Sequence, residues 1–130
     1  MNRILVADDN PVSRELVREI LDSPDYVVIE AEDGREALEL IDRMKPDLVL
    51  LDIQMPGQDG FSVIRQLRSD GRYANLPVIA LTAFAMRGDR EKALEAGFDG
   101  YITKPIRPSL LRERVERQLE ERPTNESGCG

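Results

Sequence analysis

Short apolar runs alternate with longer amphipathic segments along most of the chain, and this alternation restricts the fold more than any other feature. The short runs are residues 4–7, 27–31, 48–53, 78–81 and 101–103. Between them lie stretches with helical spacing. Val12, Leu16 and Ile20 form one face of the first; Ala37, Leu38, Ile41 and Met44 suit the second; Phe61, Ile64 and Leu67 the third; Leu111, Val115 and Leu119 the last. Around residues 87–96 only Ala93, Leu94 and Ala96 are available to a core, which marks a sparsely packed helix and a candidate moving part. Alternating strand and helix units imply an α/β fold, a doubly wound parallel sheet with helices on both faces. Runs 4–7, 48–51 and 78–81 carry no polar residue, as strands buried on both sides require. Punctuation agrees: Asn10 caps a helix that starts at Pro11, Gly97 stops another, and Pro46 and Pro77 stand just before strands.

The length of 130 residues fits one domain over residues 1–121, large enough to bury a core without staples. Residues 122–130 are polar, with Pro123 and two glycines, and read as a disordered tail with no output domain expected. The net charge of −7 opposes nucleic-acid binding, which depends on neutralising phosphates. Histidine is absent, which removes His-dependent triads, His-bound zinc and a phosphohistidine carrier. The one cysteine, Cys129, permits no intrachain disulfide, and the run 4–7 is too short for a signal-peptide core or a membrane span. A cytoplasmic location, away from membranes, is the expectation.

Binding sites in open parallel sheets form at the carboxyl ends of strands, where the strand order reverses. The polar residues at those ends are Asp8 and Asp9 after the first run, Asp52 at the end of the third, Thr82 after the fourth and Lys104 after the fifth. Crowded carboxylates resist ionising together, and a hard cation with oxygen ligands removes that penalty. Magnesium suits such a donor set better than a transition metal, since no His or nearby Cys is offered. A carboxylate can also attack phosphorus to give an acyl phosphate, with a lysine and a hydroxyl stabilising the peripheral oxygens. Asp52, on the central strand, is the best candidate nucleophile.

Four segments also resemble the receiver domains of bacterial two-component response regulators. They are Val6-Ala7-Asp8-Asp9-Asn10, the stretch from Leu50 to Gly60 around Asp52-Ile53-Gln54-Met55-Pro56, Leu81-Thr82-Ala83, and Tyr101-Ile102-Thr103-Lys104-Pro105. The resemblance spans residues 3–121 and implies a flavodoxin-like sheet in the order 2-1-3-4-5. It implies that Asp8, Asp9, Asp52 and the backbone carbonyl of Gln54 hold Mg2+. Asp52 would be the phosphoacceptor, Thr82 and Lys104 would contact the phosphoryl oxygens, and the Ala83 N–H would assist. The Lys104–Pro105 peptide would be cis, and Tyr101 would turn with Thr82 as a switch. The implied partners are a histidine kinase or histidine phosphotransfer protein and a downstream target. The implied oligomeric state is a monomer or a weak dimer through the fourth helix, fifth strand and fifth helix. Within the family the residues two after the acceptor and two after the threonine tune hydrolysis; here they are Gln54 and Phe84, and a bulky Phe84 suggests a long-lived phosphorylated state.

Taken singly, these residues have plainer readings. Asp8 and Asp9 could serve a helix start, Asp52 a turn, Thr82 a strand-end cap, Lys104 a solvated surface and Tyr101 the core. Their shared placement favours the site. Asp25, Asp42, Asp70 and residues 87–92 lack that placement and read as solvated surface. The chain is not expected to be an enzyme beyond promoting its own phosphorylation and dephosphorylation. An aspartate-nucleophile phosphatase would need an acid where Gln54 stands. A flavin carrier would need a phosphate loop where Asp8-Asp9-Asn10-Pro11 stands. A receiver module of a hybrid-kinase relay and a non-phosphorylated docking pseudo-receiver are the remaining alternatives.

Overall fold

The computed structural model describes residues 2–55, 59–83 and 88–121. Phe84, Cys129 and the tail 122–130 lie outside the described residues. In chain order the elements are β1 (Asn2–Ala7), α1 (Pro11–Ile20), β2 (Tyr26–Ala31), α2 (Gly34–Met44), β3 (Leu48–Asp52), α3 (Gly60–Ser69), a 3-10 turn (Gly71–Tyr73), β4 (Val78–Thr82), α4 (Asp89–Ala96), β5 (Gly100–Thr103) and α5 (Pro108–Glu121). All strand pairs are parallel, in the order β2-β1-β3-β4-β5. The expected flavodoxin-like order is therefore the one observed.

Side chains alternate across each strand, so the sheet feeds two cores. Leu5, Ala7, Val49, Leu51, Val78 and Ala80 face α2, α3 and α4 through Ala37, Ile41, Ile64, Leu67 and Ala93. Ile4, Val6, Leu48, Leu50, Ile79 and Leu81 face α1 and α5 through Val17, Leu21, Leu111 and Val115. Every residue of β3 and β4 is buried, whereas the edge strand β2 leaves Val27 39% exposed. Helix starts are capped locally: Asn10, Asp33 and Asp59 accept from the backbone N–H of Val12, Glu36 and Ser62 at 2.9, 2.8 and 2.9 Å.

Two expectations about helix faces need correction. On α1, Val12 is 73% and Leu16 38% exposed, while Val17 and Leu21 are buried. The sequence offers two stripes at four-residue spacing, and the right-handed return from β1 to β2 turns the second onto the sheet. On α4, Ala93 is buried and Ala96 packs against the core, but Leu94 is 44% exposed. Burial there is completed by Phe98, beyond the helix, whose ring meets Phe61 edge-on at 6.0 Å. Helix α4 begins at Gly88 (φ 88°) without a side-chain cap and ends at Gly97 (φ 118°). It is the sparsely packed element that the sequence suggests. Among the described residues no helix is long and apolar enough to cross a membrane.

Candidate functional site

The strand order reverses between β1 and its neighbours, so the chain leaves β1 toward β2 on one side and meets β3 on the other. Ala7 aligns with Leu51, which sets Asp8 and Asp52 side by side at the carboxyl ends of two central strands. Among the described residues, Asp8, Asp52 and Thr82 are the buried polar side chains, at 0%, 4% and 3% exposure. Asp9 is exposed at the mouth. One carboxylate oxygen from each of Asp8, Asp9 and Asp52 lies within 4.8 Å of the others.

Main-chain geometry holds this end of the sheet. Asn10 N–H donates to Asp8 Oδ1 at 2.9 Å, and Gln54 N–H donates to Asp52 Oδ1 at 2.8 Å. Each acid thus closes a turn with the residue two positions on. The start of α3 is drawn against the end of β3 by a bond from Gly60 N–H to the Ile53 carbonyl at 2.9 Å. A Cβ at Gly60 would stand 2.7 Å from the Asp52 carbonyl oxygen and from the Ile53 Cα, so only glycine fits this approach.

Lys104 crosses from the end of β5 to reach both buried acids. Its Nζ donates to Asp8 Oδ2 at 2.7 Å and to Asp52 Oδ2 at 2.9 Å. Its backbone N–H donates to the Thr82 carbonyl at 2.7 Å, which ties the β5 end to the β4 end. The Lys104–Pro105 peptide is cis, as the resemblance implies. Burial pushes the Asp52 carboxyl above the usual carboxylate range; hydrogen bonds from Lys104 and Gln54 oppose this, and the Asp8 charge adds to it. For Lys104 burial favours the neutral amine, but the hydrogen bonds and charges of Asp8 and Asp52 outweigh it and hold the pKa above its ordinary value.

The remaining candidate residues surround this cluster. Gln54 and Ala83 are exposed just past the ends of β3 and β4. Tyr101, on β5, is half-buried, and its Oη is enclosed without a hydrogen-bond partner among the described residues. Burial and then the Asp89 charge raise its pKa. Asp8, Asp9, Asp52, Thr82 and Lys104, which the sequence pattern places at one edge, are all found there. The pattern misses Arg14, which touches the site through the Asp8 carbonyl at 2.6 Å. A side-chain bond to a backbone carbonyl leaves no residue pattern by which to find it.

The donor set is chemically uniform: three carboxylates converge, two of them in the interior, and an ammonium bonds one oxygen of each interior carboxylate. Such oxygen donors fit a hard divalent cation, whose charge would offset their repulsion. An anionic phosphoryl group would in turn find Lys104 within reach.

Comparison with known proteins agrees with this geometry. The sequence pattern of the response regulator receiver domain matches residues 4–116. The polar-differentiation response regulator DivK of Brucella anthropi is 37% identical over 116 residues, which cover 89% of this chain and 94% of that protein. The receiver domain of a Pseudomonas aeruginosa sensor histidine kinase, solved with magnesium coordinated in its active site cleft, is 35% identical with a TM-score of 0.83; the match covers 92% of this chain and 98% of that one. The receiver domain of a Syntrophus aciditrophicus signal transduction histidine kinase gives 32% identity and a TM-score of 0.85, covering 95% and 96%. Fold, strand-end acids and sequence pattern lead to one assignment: the chain belongs to the response regulator receiver domain family.

Proposed function

We propose that this chain is a phosphorylation-dependent signalling module that accepts a phosphoryl group on Asp52 from a histidine kinase or histidine phosphotransfer protein. One observation carries this reading. Two interior carboxylates and a third at the mouth converge beside the half-buried ammonium of Lys104, at the crevice where this fold binds ligands. Without a binding role, such crowding only costs stability.

A magnesium ion held by Asp8, Asp9, Asp52 and the Gln54 carbonyl would supply positive charge against the carboxylates and the phosphoryl oxygens. The chain's own groups do the rest. An Asp52 carboxylate oxygen attacks phosphorus, the P–N bond to the donor histidine breaks, and the imidazole leaves with the electron pair. The product is an acyl phosphate. Lys104 Nζ shifts its donated hydrogen bonds toward the new phosphoryl oxygens, and Thr82 and the Ala83 N–H supply further donors. Hydrolysis by water resets the module, so the chain promotes only its own phosphorylation and dephosphorylation.

Thr82 drawn toward the phosphoryl group frees space into which Tyr101 turns, and among the described residues its Oη has no hydrogen-bond partner to give up on moving. The face made by α4, β5 and α5 then changes its affinity for a downstream protein. A cytoplasmic compartment suits this role. The DivK relative and the histidine-kinase receivers leave two settings, a separate regulator or a receiver module within a larger relay.

The test is intact-protein mass measurement after incubation with a small phosphodonor and magnesium. The wild type gains one phosphoryl mass, and Asp52→Asn gains none. Labelling of Asp52→Asn at the wild-type level would remove Asp52 as acceptor.

A further inference from the structure

Arg14 lies in the first turn of α1, where its backbone N–H bonds the Asn10 carbonyl at 3.2 Å. Its side chain is only 12% exposed, an unusual setting for an arginine near the start of a helix. The guanidinium spans two elements. Nε donates to Glu30 Oε1 on β2 at 3.1 Å, and Nη1 donates to the Asp8 carbonyl oxygen at 2.6 Å. Glu30 also takes Arg18 Nη1 on its other oxygen at 2.9 Å, so the carboxylate is fixed from two sides. The Asp8 N–H meanwhile donates to the Ala31 carbonyl at 3.1 Å. Both main-chain polar groups of Asp8 are therefore tied to the β2 side of the fold.

We propose that Arg14 is a positioning residue for the acid pair: it anchors the main chain at Asp8 to β2 through Glu30 and so aims the Asp8 and Asp9 carboxylates at a common cation. This rests on the reading that these acids hold magnesium. The bond that reaches Asp8 is to its carbonyl, leaving the carboxylate to Asn10 and Lys104. The Arg14 charge is itself matched by Glu30. Arg14 thus acts by geometry rather than by competing with the cation. Turning the peptide that follows Asp8 would swing the Asp9 side chain, which lies at the exposed mouth and has little packing to hold it. An arginine fork spans both acceptors at once; a lysine ammonium, a point donor on a flexible stem, does not reproduce that geometry.

The experiment is calorimetric titration of magnesium into the unphosphorylated chain, for the wild type, Arg14→Lys, Arg14→Gln and Glu30→Ala, with metal-free melting temperatures measured in parallel. Both Arg14 variants are expected to bind magnesium about tenfold more weakly, as partners that orient a ligand from behind do. Arg14→Lys does not rescue. Glu30→Ala, which removes the guanidinium's far anchor together with the Arg18 bond but leaves Arg14 itself in place, shows a smaller loss in the same direction and keeps the test open if the Arg14 variants unfold. Wild-type affinity in Arg14→Lys or in Glu30→Ala would overturn the proposal, as would a lowered melting temperature with unchanged affinity. No magnesium binding by the wild type would instead strike down the metal reading on which it stands.

Discussion

Two groups of acids and cations on this molecule invite comparison. At the carboxyl end of the sheet, Asp8, Asp9 and Asp52 meet Lys104. On the outer side of α2 and α3, Asp42 and Asp70 meet Arg72, Lys45 and the Tyr73 hydroxyl. The outer group is matched in charge. Arg72 bonds Asp42 at 3.0 Å and Asp70 at 2.8 Å, Lys45 stands 3.8 Å from Asp42, and both cations lie over the Tyr73 ring. The Tyr73 hydrogen bond and the Arg72 charge hold Asp42 below the usual carboxylate range, and Arg72 does the same for Asp70. The inner group has more acids than cations, and its Asp52 is pushed the opposite way by burial. Composition alone does not separate the two groups. Burial and charge balance do, and an underneutralised interior group is the one that gains from a cation.

The comparison can be broken most severely at Lys104. Lys104→Met leaves Asp8 and Asp52 facing each other in the interior. Because Lys104 is partly exposed, the loss is set at the low end for a broken buried pair, about 3 kcal/mol by urea unfolding in metal-free buffer. Added magnesium should return part of that stability. An equal loss with and without magnesium would mean that the acids do not share a cation.

Asp52→Asn should act in the opposite sense and more weakly. Its folded-state pKa lies above the unfolded one, so its carboxyl favours the folded state below the ordinary carboxylate pKa. That advantage is lost as pH rises through the raised folded value. In metal-free buffer Asp52→Asn is therefore more stable than the wild type at neutral pH, and the gap closes in acid. A pH-independent difference would contradict the assignment of burial as the cause.

Asp42→Asn should have the smallest effect. Its folded pKa is depressed, so its contribution is present above the ordinary carboxylate value and is lost as pH falls through the folded one. Asp42 and Arg72 are 58% and 62% exposed, so solvent and salt screen the pair. A melting-temperature change no larger than that of an ordinary surface substitution, vanishing in high salt, is expected.

The same contrast explains what the sequence made legible. Runs such as 48–51 and 78–81 announce central strands because only a doubly covered strand tolerates unbroken apolar sequence. Asp8, Asp52 and Thr82 could be read because each ends or follows such a run, and Lys104 because it follows the shorter, mixed run of β5. The buried face of α1 could not be read, since Val12 and Leu16 repeat at the same spacing as Val17 and Leu21 and only tertiary packing chooses between them. Asp42 and Asp70 are on the surface as expected, but their shared Arg72 depends on the 3-10 turn folding back toward α2. The link from Arg14 to the Asp8 carbonyl and to Glu30 joins elements by a backbone acceptor and a distant carboxylate, so no local periodicity signals it.

The most direct test of the inner group's role is the melting temperature of the unphosphorylated chain as a function of magnesium concentration. A ligand bound only by the folded state raises that temperature by mass action. The wild type and Asp42→Asn should climb together, and Asp9→Asn, which removes a carboxylate at the mouth without disturbing the interior pair, should climb much less. A wild-type curve that stays flat as magnesium is added, or an Asp9→Asn curve that rises as steeply as the wild type, would contradict the account.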